Sequence, residues 1–199
     1  MIRTLAAILI ATISSIALAQ APDLVRIRGK VEKLDGQMLM VKTNDGKDVS
    51  VKMADNFTVT GVVRASVNDI GAGKFIGTTT VGERDGAMVA LEVHIFPESM
   101  RGTGEGHRDW DLKPDSKMTN ANVAEIKAMG KDHVMTVQYK GGEKKVLVTD
   151  TSVVVSYAPA DKTMLKPGAP VFVISKREAD GSFSSARVNV GLNGQAPPM

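Results

Sequence analysis

The sequence predicts an all-β protein: two tandem small OB-like β-barrels, with about six strands and one helical turn each, behind a cleavable signal peptide. Three observations predict it. Short valine-rich runs alternate with turn pairs, the same order of runs returns about 95 residues later, and the chain opens on an apolar leader too short to span a bilayer.

The leader comes first. MIRTLAAILIATISSIALAQAPD carries one basic residue, Arg3, and then an apolar run from Leu5 to Leu18 that ends in Ala17-Leu18-Ala19. This is the three-part pattern of a secretory signal peptide, with the cut expected between Ala19 and Gln20. A spanning helix needs about twenty apolar residues. No later run comes near that length, so no membrane span is expected after cleavage, and the expected compartment is the periplasm or the outside of the cell. Zero cysteines removes disulfides, thiolate metal sites and thiol nucleophiles together.

The strands follow in order. VRIRGKVEKL, QMLMVKT, KDVSVKM and FTVTGVV are separated by Asp35-Gly36 and Asn44-Asp45-Gly46, which is hairpin grammar. In KDVSVKM, Val49, Val51 and Met53 alternate with Asp48, Ser50 and Lys52, so one face is dry. Ser66 and Asp69 have capping-box spacing and predict one short helical turn. A strand from Lys74 to Val81, the Asp85-Gly86 turn and a strand from Ala87 to Phe96 complete the unit.

The unit then repeats. Asp55 matches Asp150, Ile70 matches Leu165, Gly73 matches Gly168, Asp85-Gly86 matches Asp180-Gly181, and Val93 and Ile95 match Val188 and Val190, all at one offset. The predicted organisation is a signal peptide over 1–19, barrel repeats over 23–97 and 121–191, an inter-repeat loop over 98–120 and a flexible tail over 192–199. A β-sandwich shared between the repeats is the alternative, because periodicity does not report which strands pair at long range.

Charge and composition exclude some functions. The 25 basic residues less Arg3 stand against 22 acidic ones, and the two signs are interspersed, so no nucleic-acid partner is expected. Eleven methionines invite a copper site, but Met38, Met40, Met53, Met88 and Met135 fall inside strands, where filling a core short of aromatics is their ordinary role. GTGEG at 102–106 runs into Pro114 with no helix to follow, which removes a phosphate loop. Glu92 and His94 share one face of a strand whose counterparts are Arg187 and Asn189, and that face reads as solvent-exposed. His133 also reads as surface, and the basic hairpin Lys140 to Lys145 as a solubilising turn tip.

The segment between the repeats, PESMRGTGEGHRDWDLKPDSKMTNAN, lacks a strand pattern and holds the only tryptophan. Trp110 is expected to pack onto the repeats and fix their orientation. Together with VRIRGKVEKLDGQMLMVKTNDGKDVSVKMADN and ARVNVG, this segment resembles a family of uncharacterised exported bacterial β-repeat proteins. Some of that family's members carry a metal-transporter permease label, which this sequence contradicts because a permease needs several spanning helices. The resemblance implies export and supplies no activity and no site residues.

The function expected is therefore a non-catalytic periplasmic binding or assembly module, with an envelope protein or a small ligand as partner. Its expected site is the loop, through Arg101, His107, Arg108 and Trp110. Glu105, His107, Asp109 and Asp111 occupy every second position of GEGHRDWDL, so an extended backbone would turn all four to one side, where they could hold a divalent metal. That metal-binding protein is one alternative. A cell-envelope hydrolase using two carboxyls is the other.

Overall fold

The computed structural model describes residues 23–199, so the expected signal peptide lies outside the described residues. Twelve strands carry the chain: β1 (Leu24–Asp35), β2 (Met38–Thr43), β3 (Asp48–Arg64), β4 (Phe75–Arg84), β5 (Ala87–Ile95), β6 (Gly106–Asp109), β7 (Lys117–Met129), β8 (Asp132–Tyr139), β9 (Gly142–Val148), β10 (Val153–Pro159), β11 (Pro170–Arg177) and β12 (Phe183–Gly191). The only helical pieces among the described residues are three single turns of 3-10 helix, and no helix is long and apolar enough to cross a membrane.

One continuous sheet runs β12-β11-β1-β2-β3-β10-β5-β4-β7-β8-β9. β3 also pairs with β12 in parallel, which closes β12-β11-β1-β2-β3 into a five-stranded barrel. A second group, β5-β4-β7-β8-β9, curls back through a short parallel contact in which Met88 faces Val146 and Val89 faces Leu147, with β10 joining the two groups and β6 pairing β7. Each group surrounds its own core. The first packs Ile27, Leu39, Val51, Met53, Val173 and Val188, and the second packs Ile76, Val93, Ala121, Met135, Val137 and Val146.

The assignment of one barrel to each repeat, 23–97 and 121–191, does not match this pairing. The first barrel takes β1 to β3 from the first repeat and β11 and β12 from the second, while the other group takes β7 to β9 from the second repeat and β4 and β5 from the first. The repeats have exchanged hairpins. The physical reason lies in β3, whose 17 residues run on without a turn. At roughly 3.3 Å per residue such a strand outruns its own barrel and delivers the next hairpin to the neighbouring one.

The repeat itself is written into the register. Val62 faces Tyr157 across the antiparallel β3–β10 pair, and the two differ by 95 positions; Val155 facing Arg64 mirrors Thr60 facing Pro159. Val155 beside His94 likewise mirrors Thr60 beside Asn189. A pseudo-twofold axis therefore passes through the Val62–Tyr157 pair. Ile70 and Leu165, each following a 3-10 turn, plug the two cores equivalently.

Local expectations hold in the first unit. Ser66 caps Val67–Asp69, accepting from the Asn68 N–H while the Asp69 carboxylate accepts from the Ser66 N–H. Val51 and Met53 are buried and Ser50 and Lys52 exposed. The tail differs. Leu192 N–H donates to Val62 O at 2.9 Å, Arg28 Nε donates to Met199 O at 2.7 Å, and Met199 is only 2 % exposed. Met199 joins a third apolar cluster with Val62, Met118, Val155 and Phe172, packed between the two groups, and this holds the expected loose tail 192–199 against the protein. Gly191 permits the reversal, since a methyl there would meet Gln195 O at 1.9 Å.

Candidate functional site

The exchange of hairpins lays the outer faces of β11, β12, β3, β10, β5, β4 and β7 side by side. A groove of about 1220 Å³ runs along them. Thr60, Tyr157, Phe172 and Asn189 line its middle, Ser182 to Arg187 one end, and Thr103, Arg108 and Trp110 the other.

The most unusual chemistry lies on this face. Glu92 is 1 % exposed and His94 4 %, which overturns their expected place on a wet strand face. The alternation was read correctly, but β5 is flanked by β10 and β4, and Phe96 and Tyr157 occupy the space where solvent was expected. The His94 ring meets Phe96 edge-on at 4.8 Å and Tyr157 at 5.9 Å. Glu92 Oε1 accepts from Thr79 Oγ1 at 2.7 Å, and Oε2 lies 3.0 Å from His94 Nδ1. Removing a carboxylate from water is costly unless its oxygens are paired, and here both are.

Gly77 makes room for this pair. A methyl there would stand 2.0 Å from His94 Nε2 and 2.6 Å from Asn120 Oδ1, so bare backbone lets both side chains lie against β4. Asn120 Nδ2 donates to Thr103 O at 2.9 Å, which fixes the orientation of the amide and leaves Oδ1 buried without a partner. Beside them burial first, and the Glu92 charge second, push the Tyr157 phenol far above its usual range.

The loop residues are placed as follows. Arg101 bonds Glu98, Asn122 Oδ1 and, at 2.8 Å, Gly73 O, so it ties the loop to both repeats from an exposed position. Arg108 donates to Gly104 O at 2.7 Å. Trp110 lies with the Arg26 guanidinium 3.9 Å over its ring and Arg108 at 5.6 Å, and it packs on the third apolar cluster, as its predicted role requires. Its Nε1–H is buried and unpaired. Ser116 holds the turn that follows, accepting from Lys113 N–H and donating to Lys113 O at 2.8 Å.

The four alternating candidates do not converge. β6 covers only 106–109, and each residue finds a different partner. Glu105 accepts from the Lys140 N–H at 2.9 Å, His107 Nδ1 meets Thr119 Oγ1 at 2.8 Å, Asp109 pairs with Lys117, and Asp111 pairs with Arg28 at 2.7 Å and Arg26 at 3.6 Å. Among the described residues no group of three or more His, Asp or Glu side chains is placed to hold a metal ion. Burial, then the charges of Lys144 and Lys117, lower the His107 basicity. Burial opposes ionisation of Asp111, but the hydrogen bond and charge of Arg28 with the charge of Arg26 hold its carboxyl below the usual range.

The segment thought to lack strands holds β6 and the start of β7, whose Met118, Thr119 and Asn120 are buried. No family model, curated protein or solved structure matches the chain. Sequence reasoning read Glu92 and His94 as solvent-exposed and passed over Tyr157 and Asn120. The one available signal was the mismatch between repeats, where an acid and an imidazole stand against Arg187 and Asn189.

Proposed function

We propose that this chain is a non-catalytic binding module of the periplasm whose ligand lies in the groove between the repeats, with the loop through Arg101, Arg108 and Trp110 as one wall. The observation that carries the reading is the groove itself, about 1220 Å³ against about 300–1,000 Å³ for ordinary ligand clefts, floored by sheet and walled by a pinned loop. Rigid strands carry the floor, which suits a preformed site. The strand order β1-β2-β3-β12-β11, with β3 and β12 parallel, supports an OB-like reading of the barrel; β7-β8-β9-β5-β4 repeats it. The leader supports export, and the 97–122 segment supports membership of the exported β-repeat family.

Amide exchange tests the reading. Protein exposed to size-fractionated periplasmic extract is expected to gain protection at 100–110 and 182–189 with the same fraction. If no fraction slows exchange at either place, the groove is not a binding site. N-terminal sequencing of the periplasmic protein, expected to begin at Gln20, tests the location. A hydrolase gains nothing from Glu92, which uses both oxygens on Thr79 and His94.

A further inference from the structure

The polar atoms along the groove describe what it holds. Glu92 Oε2 lies 3.0 Å from His94 Nδ1, so that nitrogen is already engaged and Nε2 is the ring atom left for a ligand. Among the described residues Nε2 makes no hydrogen bond, and neither does the phenol oxygen of Tyr157, although both residues line the groove. Asn120, 5 % exposed, adds an acceptor without a partner, and Trp110 adds a donor without one. Unpaired polar groups in such places are costly until a partner arrives.

The set is mixed, and that decides the ligand class. An ammonium only donates, and a carboxylate or phosphate only accepts. A hydroxyl does both, so one hydroxyl can meet both His94 Nε2 and the Tyr157 phenol whichever of them donates. Four basic and three acidic side chains line the groove, close to balance, which selects neither sign of charge. Its volume exceeds that of ordinary small-molecule clefts, which fits several linked units. We propose that the groove binds a neutral oligosaccharide and that His94 and Tyr157 together read one of its hydroxyls. Across the pseudo-twofold, Val62 and Asn189 stand in place of Tyr157 and His94, so the subsite occurs once and the sugar chain lies in one direction.

This rests on the groove being a binding site, and the test separates the two claims. Full-length mature protein is titrated with cellotetraose, maltotetraose and chitotetraose, with spermidine and tripolyphosphate as cationic and anionic probes, while the His94 side-chain nitrogen resonances and Trp110 emission are followed. At least one sugar is expected to move the Nε2 signal saturably. Tyr157→Phe should weaken it about tenfold, the loss of one hydrogen bond, without moving the thermal midpoint, since the phenol oxygen has no partner in the protein. His94→Gln, a second variant, should weaken it as well. Retention on the insoluble polymer of the same sugar identifies a polysaccharide source, and binding in solution alone identifies a free oligosaccharide. If no sugar moves Nε2, or if spermidine or tripolyphosphate moves it instead, the proposal is overturned. In that event protection of the groove by an extract fraction leaves the binding reading standing.

Discussion

The two sides of the pseudo-twofold axis share one register and are filled differently. Gly77 faces His94 on one side of the axis, and Phe172 faces Asn189 on the other. Glu92 is buried at 1 % exposure, whereas Arg187, its counterpart, lies in water. The scaffold therefore closes equally well with an aromatic ring or with a buried acid–imidazole pair at the same place. Glu92 and His94 are thus no requirement of the fold, and a costly arrangement with no scaffold role points to a task of its own.

The contrast can be broken most severely at Glu92. Glu92→Ala strands His94 and Thr79 and should lower stability by about 3–5 kcal/mol, while Arg187→Ala should stay within about 0.5 kcal/mol; urea unfolding midpoints report both. Replacing the pair together, Glu92→Leu with His94→Phe, should recover most of that loss, and a double variant as unstable as Glu92→Ala would show that the pair is structural. Next comes Gly77→Ala, which forces His94 and Asn120 off β4 and should cost about 1–3 kcal/mol, with the His94 resonances shifted in the folded state.

Smaller effects sharpen the far side. Arg26, whose counterpart over the second group is Met118, covers Trp110, and Arg26→Ala should cost about 1 kcal/mol and raise amide exchange over 110–116. The weakest effect is a matter of pH. The Asp111 carboxyl is held below its ordinary value of 3.8, so its contribution is complete above that value and fades as the pH falls below it. Asp111→Asn should flatten the acid limb of stability below about pH 4, most visibly at low salt, because the pair is nearly half exposed.

The local rules were legible and the long-range ones were not. Ser66 and Asp69 announced their turn, Val49 to Met53 announced a face, and the offset joining Ile70 to Leu165 announced a repeated unit but not how its two copies meet. These depend on neighbours a few residues apart, or on copies of one pattern. The hairpin exchange depends on which edge β4 meets, and alternation is the same for either partner. For that reason Glu92 and His94 read as wet, since a polar face points to water only where no other strand, ring or loop arrives. Met199 was misjudged likewise, because a tail of prolines and glycine carries no mark of the cleft that receives its last side chain.

The exchanged hairpins also set the order in which the molecule can be finished. β1 to β3 leave the biosynthetic machinery early, yet the strands that close their barrel, β11 and β12, come only after residues 65–169 have been made. Until then the front half is an open curl with bare edges. Such distant pairings form slowly. For a chain expected to be threaded through a membrane unfolded, the delay is useful, since nothing upstream can set hard before the far end arrives. A chain stopped before Pro170 should remain open to protease throughout β1–β3, where the full chain resists.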